Sequence, residues 1–375
     1  LIFDFCPLPF ALLFFSAHFW PQKKSMKEEK LASFKGARKI LIRSANWVGD
    51  AVMSLPAIAS ARLSFPGAEI SILAKPWVGE LFQGSSEIDR LILYRSPGTH
   101  DGLRGRLKLA GELRAGRFDL VLHLPNSFDS ALVSFLAGIP RRAGYKTDGR
   151  GMLLTDGVPV DGAKNRHQAE YYLHLMEELG FRLAGRAPVL QISPQQREDS
   201  QRILESCGLK NEDPLVGVAP GAKYGSAKEW FPERYGEVAA RISGETGSRV
   251  LVLGSAGDRP AASRILQEAG TAAIDLTGKT SLGQAMALIA RCRLFITNDS
   301  GLMHVASALA VPLVALFGST DPARTGPLSD KSRVIRKPIP CGPCLKPECP
   351  KERECMSLIT TDEVFEAVKE MWTAR

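Results

Sequence analysis

From residue 38 onward the chain alternates short apolar runs with longer amphipathic stretches. The runs KILIRS (39–44), EISILA (69–74), RLILY (90–94) and DLVLHLP (119–125) are rich in Val, Ile and Leu. Bounded by Gly, Pro and Asp, they have the pattern of strands buried in a parallel sheet. Helix-period patterns lie between them at 51–64, 102–115 and 128–137. After a loop-like, Pro-bearing linker, FRLAGRAPVLQISPQQ (181–196), the alternation restarts. Its strands are LVGVAP (215–220), RVLVLGS (249–255), AIDLTG (273–278), RLFITND (293–299) and PLVALFGST (312–320), with helical patterns at 232–243, 259–269, 281–291 and 301–310.

Strand–helix alternation predicts right-handed βαβ units. The expected class is α/β, with two Rossmann-like domains at 26–188 and 189–360. A last helix, in 361–375, is expected to pack back on the first domain. Open parallel sheets bind ligands at the carboxyl ends of their strands. If both sheets face one cleft, Asp50, after the first strand of domain one, and Asp299, after the fourth strand of domain two, stand on opposite walls.

Charge narrows the partners. The 375 residues carry 48 Lys and Arg against 40 Asp and Glu, a formal net charge of +8. That favours an anionic partner: a phosphorylated substrate, nucleic acid or an acidic membrane surface. Residues 1–25 are apolar and aromatic, with their positive charges at the far end, the reverse of a secretory signal. They are expected to be an upstream, non-native extension with Met26 as the start; a signal anchor is the alternative. Few cysteines lie outside one cluster, which reads as a cytosolic free-thiol chain.

Several short motifs are absent: G-x-G-x-x-G, the P-loop, the G-x-S-x-G elbow, and a D-x-D pair for a nucleotide-bound cation. Four strand-to-helix loops remain. In TNDSGLMHVASALA (297–310), free amides at a helix start can take phosphate without a metal. Gly301 permits close approach, and Asp299 can accept from sugar hydroxyls. Asp299 or Ser300 equally serves as a helix cap. His304 faces the ligand or is an ordinary half-buried histidine. In APGAKYGSAKEWFP (219–232), Lys223 and Lys228 suit a diphosphate leaving group, or are solvated surface charge. Asp258 in LGSAGDRP (253–260) caps a helix or binds ribose. Ser319 and Thr320 in LFGSTDP (316–322) reach phosphate or shape a turn. Asp50, in RSANWVGDAVMSLP (43–56), is placed to take a proton from an acceptor hydroxyl. Its position at a helix start favours the ionised form; the alternative is again a cap.

The set NWVGDAVMSLP, PGAKYGSAKEW, NDSGLMHVA and LFGSTDP, in this order, resembles the bacterial heptosyltransferase family of lipopolysaccharide core synthesis. The likeness runs from about Arg38 to the C-terminus, and NWVGD with PGAKYGSAKEW points to the type II branch over type I. The resemblance implies a GT-B fold and an inverting glycosyltransferase with no essential metal or other cofactor. It implies heptosyl transfer from ADP-heptose to the first heptose of the inner core, on a heptosyl-Kdo-lipid A acceptor at the inner leaflet. The implied enzyme is cytoplasmic and peripherally membrane-associated, with a monomer expected. Asp50 matches the catalytic base, Lys228 a donor-phosphate contact, Asp299, Ser300 and Gly301 the donor loop, and Asp258 a ribose contact. Arg43, Asn46, Arg141, Arg142 and Lys146 are candidate acceptor contacts, with solvated surface charge as the alternative. Type I, or another nucleotide-sugar enzyme of this fold, is the alternative function.

CGPCLKPECPKEREC (341–355) spaces Cys341, Cys344, Cys349 and Cys355 as C-x2-C-x4-C-x5-C. Four thiolates so placed can close a structural zinc site, or are free thiols. The knuckle-like spacing also raises a nucleic-acid-binding alternative. Glu348, Glu352 and Glu354, and the lack of an aromatic residue for base stacking, count against it.

Overall fold

The computed structural model describes residues 30–373. The expectations for residues 1–25 and Met26 lie outside the described residues. Two six-stranded sheets are present, and every strand pair in both is parallel. The first holds β1 (Lys39–Arg43), β2 (Glu69–Ala74), β3 (Arg90–Leu93), β4 (Leu120–His123), β5 (Arg141–Tyr145) and β6 (Asp156–Val158). The second holds β7 (Leu215–Ala219), β8 (Arg249–Val252), β9 (Ala273–Asp275), β10 (Leu294–Asn298), β11 (Leu313–Phe317) and β12 (Ser332–Arg336). Their orders, β3-β2-β1-β4-β5-β6 and β12-β11-β10-β7-β8-β9, are one doubly wound arrangement built twice. The strand order reverses between β1 and β4 in one sheet and between β7 and β10 in the other.

The expected strands all form. β5, β6 and β12 were not foreseen. β5 opens on two arginines, β6 has three residues, and β6 and β12 are edge strands, so none shows a long apolar run. The single helix expected at 51–64 is two, α1 (Val48–Met53) and α2 (Leu55–Ser64). Pro56 has no N–H to continue the ladder, and its ring crowds the preceding turn. α3 (Gly102–Gly116) and α4 (Phe128–Leu136) follow expectation; α5 (Gln168–Glu178) was missed. The expected linker is shortened by α6 (Pro194–Ser206), which starts on a Ser193–Gln196 capping box. In the second half lie α7 (Pro232–Thr246), α8 (Arg259–Ala269), α9 (Leu282–Arg291) and α10 (Gly301–Ala308).

The last helix, α11 (Thr361–Thr373), does not return to the first domain. It packs on α7, β10 and β11, and its Val364, Phe365 and Val368 join the second sheet's own core. Its apolar stripe matches that nearby core, so no crossover is required.

Direct contacts join the halves. α1 packs on α10. Glu80, from the first half, accepts from Ser281 Oγ and Gly283 N at 2.6 Å each, capping α9 from the other domain. His167 Nε2 lies 3.0 Å from the Gly326 carbonyl.

Candidate active site

Both strand-order reversals carry the candidate chemistry. Asp50 lies in the first turn of α1, directly after β1. Lys228 lies in the loop after β7, and Asp299 follows β10. Asp299 is buried, and its Oδ2 accepts from Lys228 Nζ at 2.6 Å and from Thr320 Oγ1 at 2.7 Å. Asn298 staples the Lys228 loop: its Oδ1 accepts from Trp230 N at 3.0 Å and from Tyr235 Oη at 2.9 Å, while its amide donates to the Pro220 carbonyl. Sequence reading assigned Asn298 no role.

Asp50 is half-buried. Tyr172 of α5 approaches its Oδ1 at 3.5 Å. Burial raises its pKa above the ordinary carboxylate value; the Tyr172 hydroxyl and the Lys228 charge pull the other way. The direction of the shift is set first by burial, not by the helix start, since α1 has only six residues. The two walls meet where α1, which carries Asp50, packs on α10, which begins directly after Asp299 and Ser300.

The seam between them depends on glycine. A Cβ built on Gly49 would stand 2.9 Å from His304 Cδ2, and one on Gly301 would stand 3.0 Å from Val48 Cβ. Gly301 thus admits the other domain's Val48. His304 is buried against Gly49, and burial lowers its pKa to about 4, leaving a neutral ring at neutral pH. Ser300 caps α10, its Oγ accepting from Met303 N at 3.4 Å. Asp258 accepts from Ser255 N at 2.7 Å and Ser255 Oγ at 2.8 Å and lies against Gly254. Ser319 is buried beside the cysteine segment, its carbonyl accepting from Leu345 N at 2.8 Å.

Residues 106–354 match the model of glycosyltransferase family 9 (heptosyltransferase), well over half of the chain. The chain belongs to glycosyltransferase family 9. This family 9 chain is 39% identical over 308 residues to lipopolysaccharide heptosyltransferase 2 of Escherichia coli K12, covering 80% of this chain and 88% of that protein. It is 35% identical over 309 residues to lipooligosaccharide heptosyltransferase 2 of Haemophilus influenzae Rd, covering 79% and 88%. The solved structure of E. coli ADP-heptose lipopolysaccharide heptosyltransferase II superposes with a TM-score of 0.75 at 34% identity, covering 89% of this chain and 98% of that one. A family 9 glycosyltransferase from Veillonella parvula gives a TM-score of 0.80 at 26% identity, covering 90% and 98%. The paired sheets are thus the GT-B fold of family 9 enzymes.

Within this family 9 fold, some acceptor expectations need correction. Arg141 and Arg142 open β5, at the sheet end opposite the cleft. Arg141 is held by Asp156 and the Ser33 carbonyl, and Arg142 donates to the carbonyls of Leu153 and Ile139. Both are spent on local structure. Lys146 follows β5 and is exposed, its stem lying over Gly157. Arg43 is buried; it donates to Ser44 O at 3.0 Å, Leu73 O at 3.1 Å and Asn46 Oδ1 at 3.0 Å. It is a strut for the loop leading to Asp50, and burial lowers its pKa only to about 10, so it stays charged.

The cysteine segment also departs from expectation. Cys341, Cys344, Cys349 and Cys355 line one small cavity with Ala227 and Ser319. Yet among the described residues no three His, Cys, Asp or Glu side chains are disposed to hold a metal, and the four thiols are free. Cys341 is exposed, Cys344 and Cys349 are partly buried, and Cys355 is buried. The structural zinc expected there is not supported. The segment instead braces the Lys228 loop: Ala227 N donates to Pro347 O at 3.0 Å, Tyr224 Oη to Leu345 O at 2.7 Å, and Arg353 to Glu229 O at 3.0 Å.

Proposed function

We propose that this chain transfers a heptosyl residue from ADP-heptose to the first heptose of the lipopolysaccharide inner core. The observation that carries the reading is the packing of α1, which holds Asp50, on α10, which follows Asp299 and its Lys228 partner, so that the two strand-order reversals adjoin. The relatives named heptosyltransferase 2 favour this reading over the type I alternative, and the solved structure named for ADP-heptose supports the donor. The acidic residues of the cysteine segment and its bracing role give no support to the nucleic-acid alternative.

The reaction follows from the charges. Asp50 takes the proton of the acceptor hydroxyl as that oxygen forms a bond to the anomeric carbon. The bond from that carbon to the diphosphate breaks on the opposite face, so the configuration inverts, and the proton stays on the Asp50 carboxyl. Lys228 balances the charge gathering on the departing ADP. A fixed ammonium at that position supports a metal-independent course.

We place the reaction at a membrane surface because the acceptor is a lipid. None of the described helices is long and apolar enough to cross a bilayer. α3, however, exposes Leu103 (66%) and Leu107 (51%) beside exposed Arg104 and Lys108, a face suited to lying on an anionic bilayer.

ADP release with ADP-heptose and a heptosylated acceptor tests the reading, with UDP- and GDP-sugars as controls. Release that does not depend on the acceptor, or a preference for another nucleotide, would sink it. In the same assay Lys228→Ala should raise the donor KM about tenfold or more and leave the acceptor KM unchanged. Unaltered donor kinetics would remove the phosphate role.

A further inference from the structure

Four tryptophans lie among the described residues, and they divide sharply. Trp230 is fully buried, its indole N–H donating to the Ile359 carbonyl at 3.1 Å. Trp372 is packed against the second core, under the Arg293 guanidinium. Trp47 and Trp77 instead leave 57% and 46% of their surfaces in solvent. Large aromatic rings held at a surface mark contact sites more often than packing sites.

Both exposed rings belong to the cleft end of the first sheet. Trp47 lies in the loop after β1 and Trp77 in the one-turn helix Pro76–Gly79 after β2, and these strands are hydrogen-bonded neighbours. Trp77 Nε1 donates to the Asn46 carbonyl at 3.2 Å, which ties that helix to the first loop next to Trp47. Trp47 immediately precedes α1, three positions before Asp50. Lys75 Nζ sits 5.7 Å from the Trp77 ring centre and 4.1 Å from that of Tyr94. The Asn46 side chain is anchored by Arg43.

We propose that Trp47 and Trp77 form the platform on which an acceptor sugar ring lies while Asp50 takes its proton; Lys75, buried and donating to the Ser96 carbonyl, braces the Trp77 side of that platform. This rests on the transferase reading and deepens it. A pyranose presents one apolar C–H face and a rim of hydroxyls. The negatively charged face of an indole attracts the C–H bonds, and the rim is left to polar partners. An indole also holds its shape with few rotatable bonds, so the ring is oriented at small entropic cost. Nothing comparable is needed on the donor wall, where the diphosphate supplies the grip.

The test uses the full chain, ADP-heptose and a deacylated heptosyl-Kdo saccharide. Trp47→Ala and Trp77→Ala should each raise the acceptor KM about tenfold or more. Donor KM and the slow hydrolysis of donor by water should not change, and Trp47→Phe and Trp77→Phe should recover most of the loss. The saccharide alone should also alter the indole fluorescence of the wild-type chain, and Trp47→Phe should diminish that response. An unchanged acceptor KM in both alanine variants would overturn the proposal. So would an equal loss with water as acceptor, or a loss confined to acceptor embedded in vesicles, which would assign the rings to a bilayer. If the wild-type chain transfers nothing, the transferase reading fails, and the fluorescence titration still decides whether these rings bind the saccharide.

Discussion

Asp50→Asn should lower kcat by about 10²- to 10⁴-fold, the range of a lost general base. Donor affinity should be nearly untouched, because Lys228 and Asp299 lie on the other wall. The acid limb of the pH profile should stand above the ordinary carboxylate range, since burial raises the Asp50 pKa. Activity needs the ionised form, so rate falls as pH drops through that raised value. Tyr172→Phe should move the limb further up, because the hydroxyl favours the carboxylate. Stability has the opposite sense. A raised folded-state pKa means that the folded chain binds the proton more tightly than the unfolded chain, so stability is lost as pH rises through it. At neutral pH the ionised Asp50 is therefore a cost, and Asp50→Asn should hold or raise Tm. A variant that kept its rate would remove Asp50 as base, and one that lost both rate and Tm would reveal a fold defect instead.

Gly49→Val should lower kcat about 100-fold or more, the scale set by a misplacement of about 1 Å in a reacting pair. Even a single Cβ at this position would press on His304, and a branched side chain forces α1 off α10. Asp50 follows immediately and is carried with it. Gly49 does not have a left-handed backbone, so the effect is steric and falls on the seam. Far-UV CD and Tm should change little while turnover collapses. Pairing Gly49→Ala with His304→Ala should restore part of what Gly49→Ala loses, as expected for residues in contact. Strict additivity in that double-mutant cycle would show that the seam is not under the strain described.

Buried parallel strands advertise themselves. β7, β10 and β11 are buried at every position, and their apolar runs were plain in the sequence. β5, β6 and β12 were illegible because edge strands and strands opening on arginine need no continuous apolar run. Asp50, Lys228 and Asp299 could be singled out because each follows a legible strand into a helix or turn, and the structure sets all three at strand-order reversals. Tyr172 and Asn298 could not: their importance comes from partners 122 and 68 residues away. Arg141 and Arg142 misled for the reverse reason. Charge is visible in a sequence, but the strand end on which it falls is not visible until the strand is known. The same holds for the exposed indoles, whose composition is identical to that of a buried core residue.

The Lys228–Asp299 contact bears on turnover as well as on chemistry. With Lys228 gripping the donor diphosphate as proposed, the ammonium would not be left bare when spent ADP departs, because a resident carboxylate waits 2.6 Å away. Each incoming carrier would then have to displace that internal counterion, which would cap affinity for the product and act as a built-in brake on product inhibition.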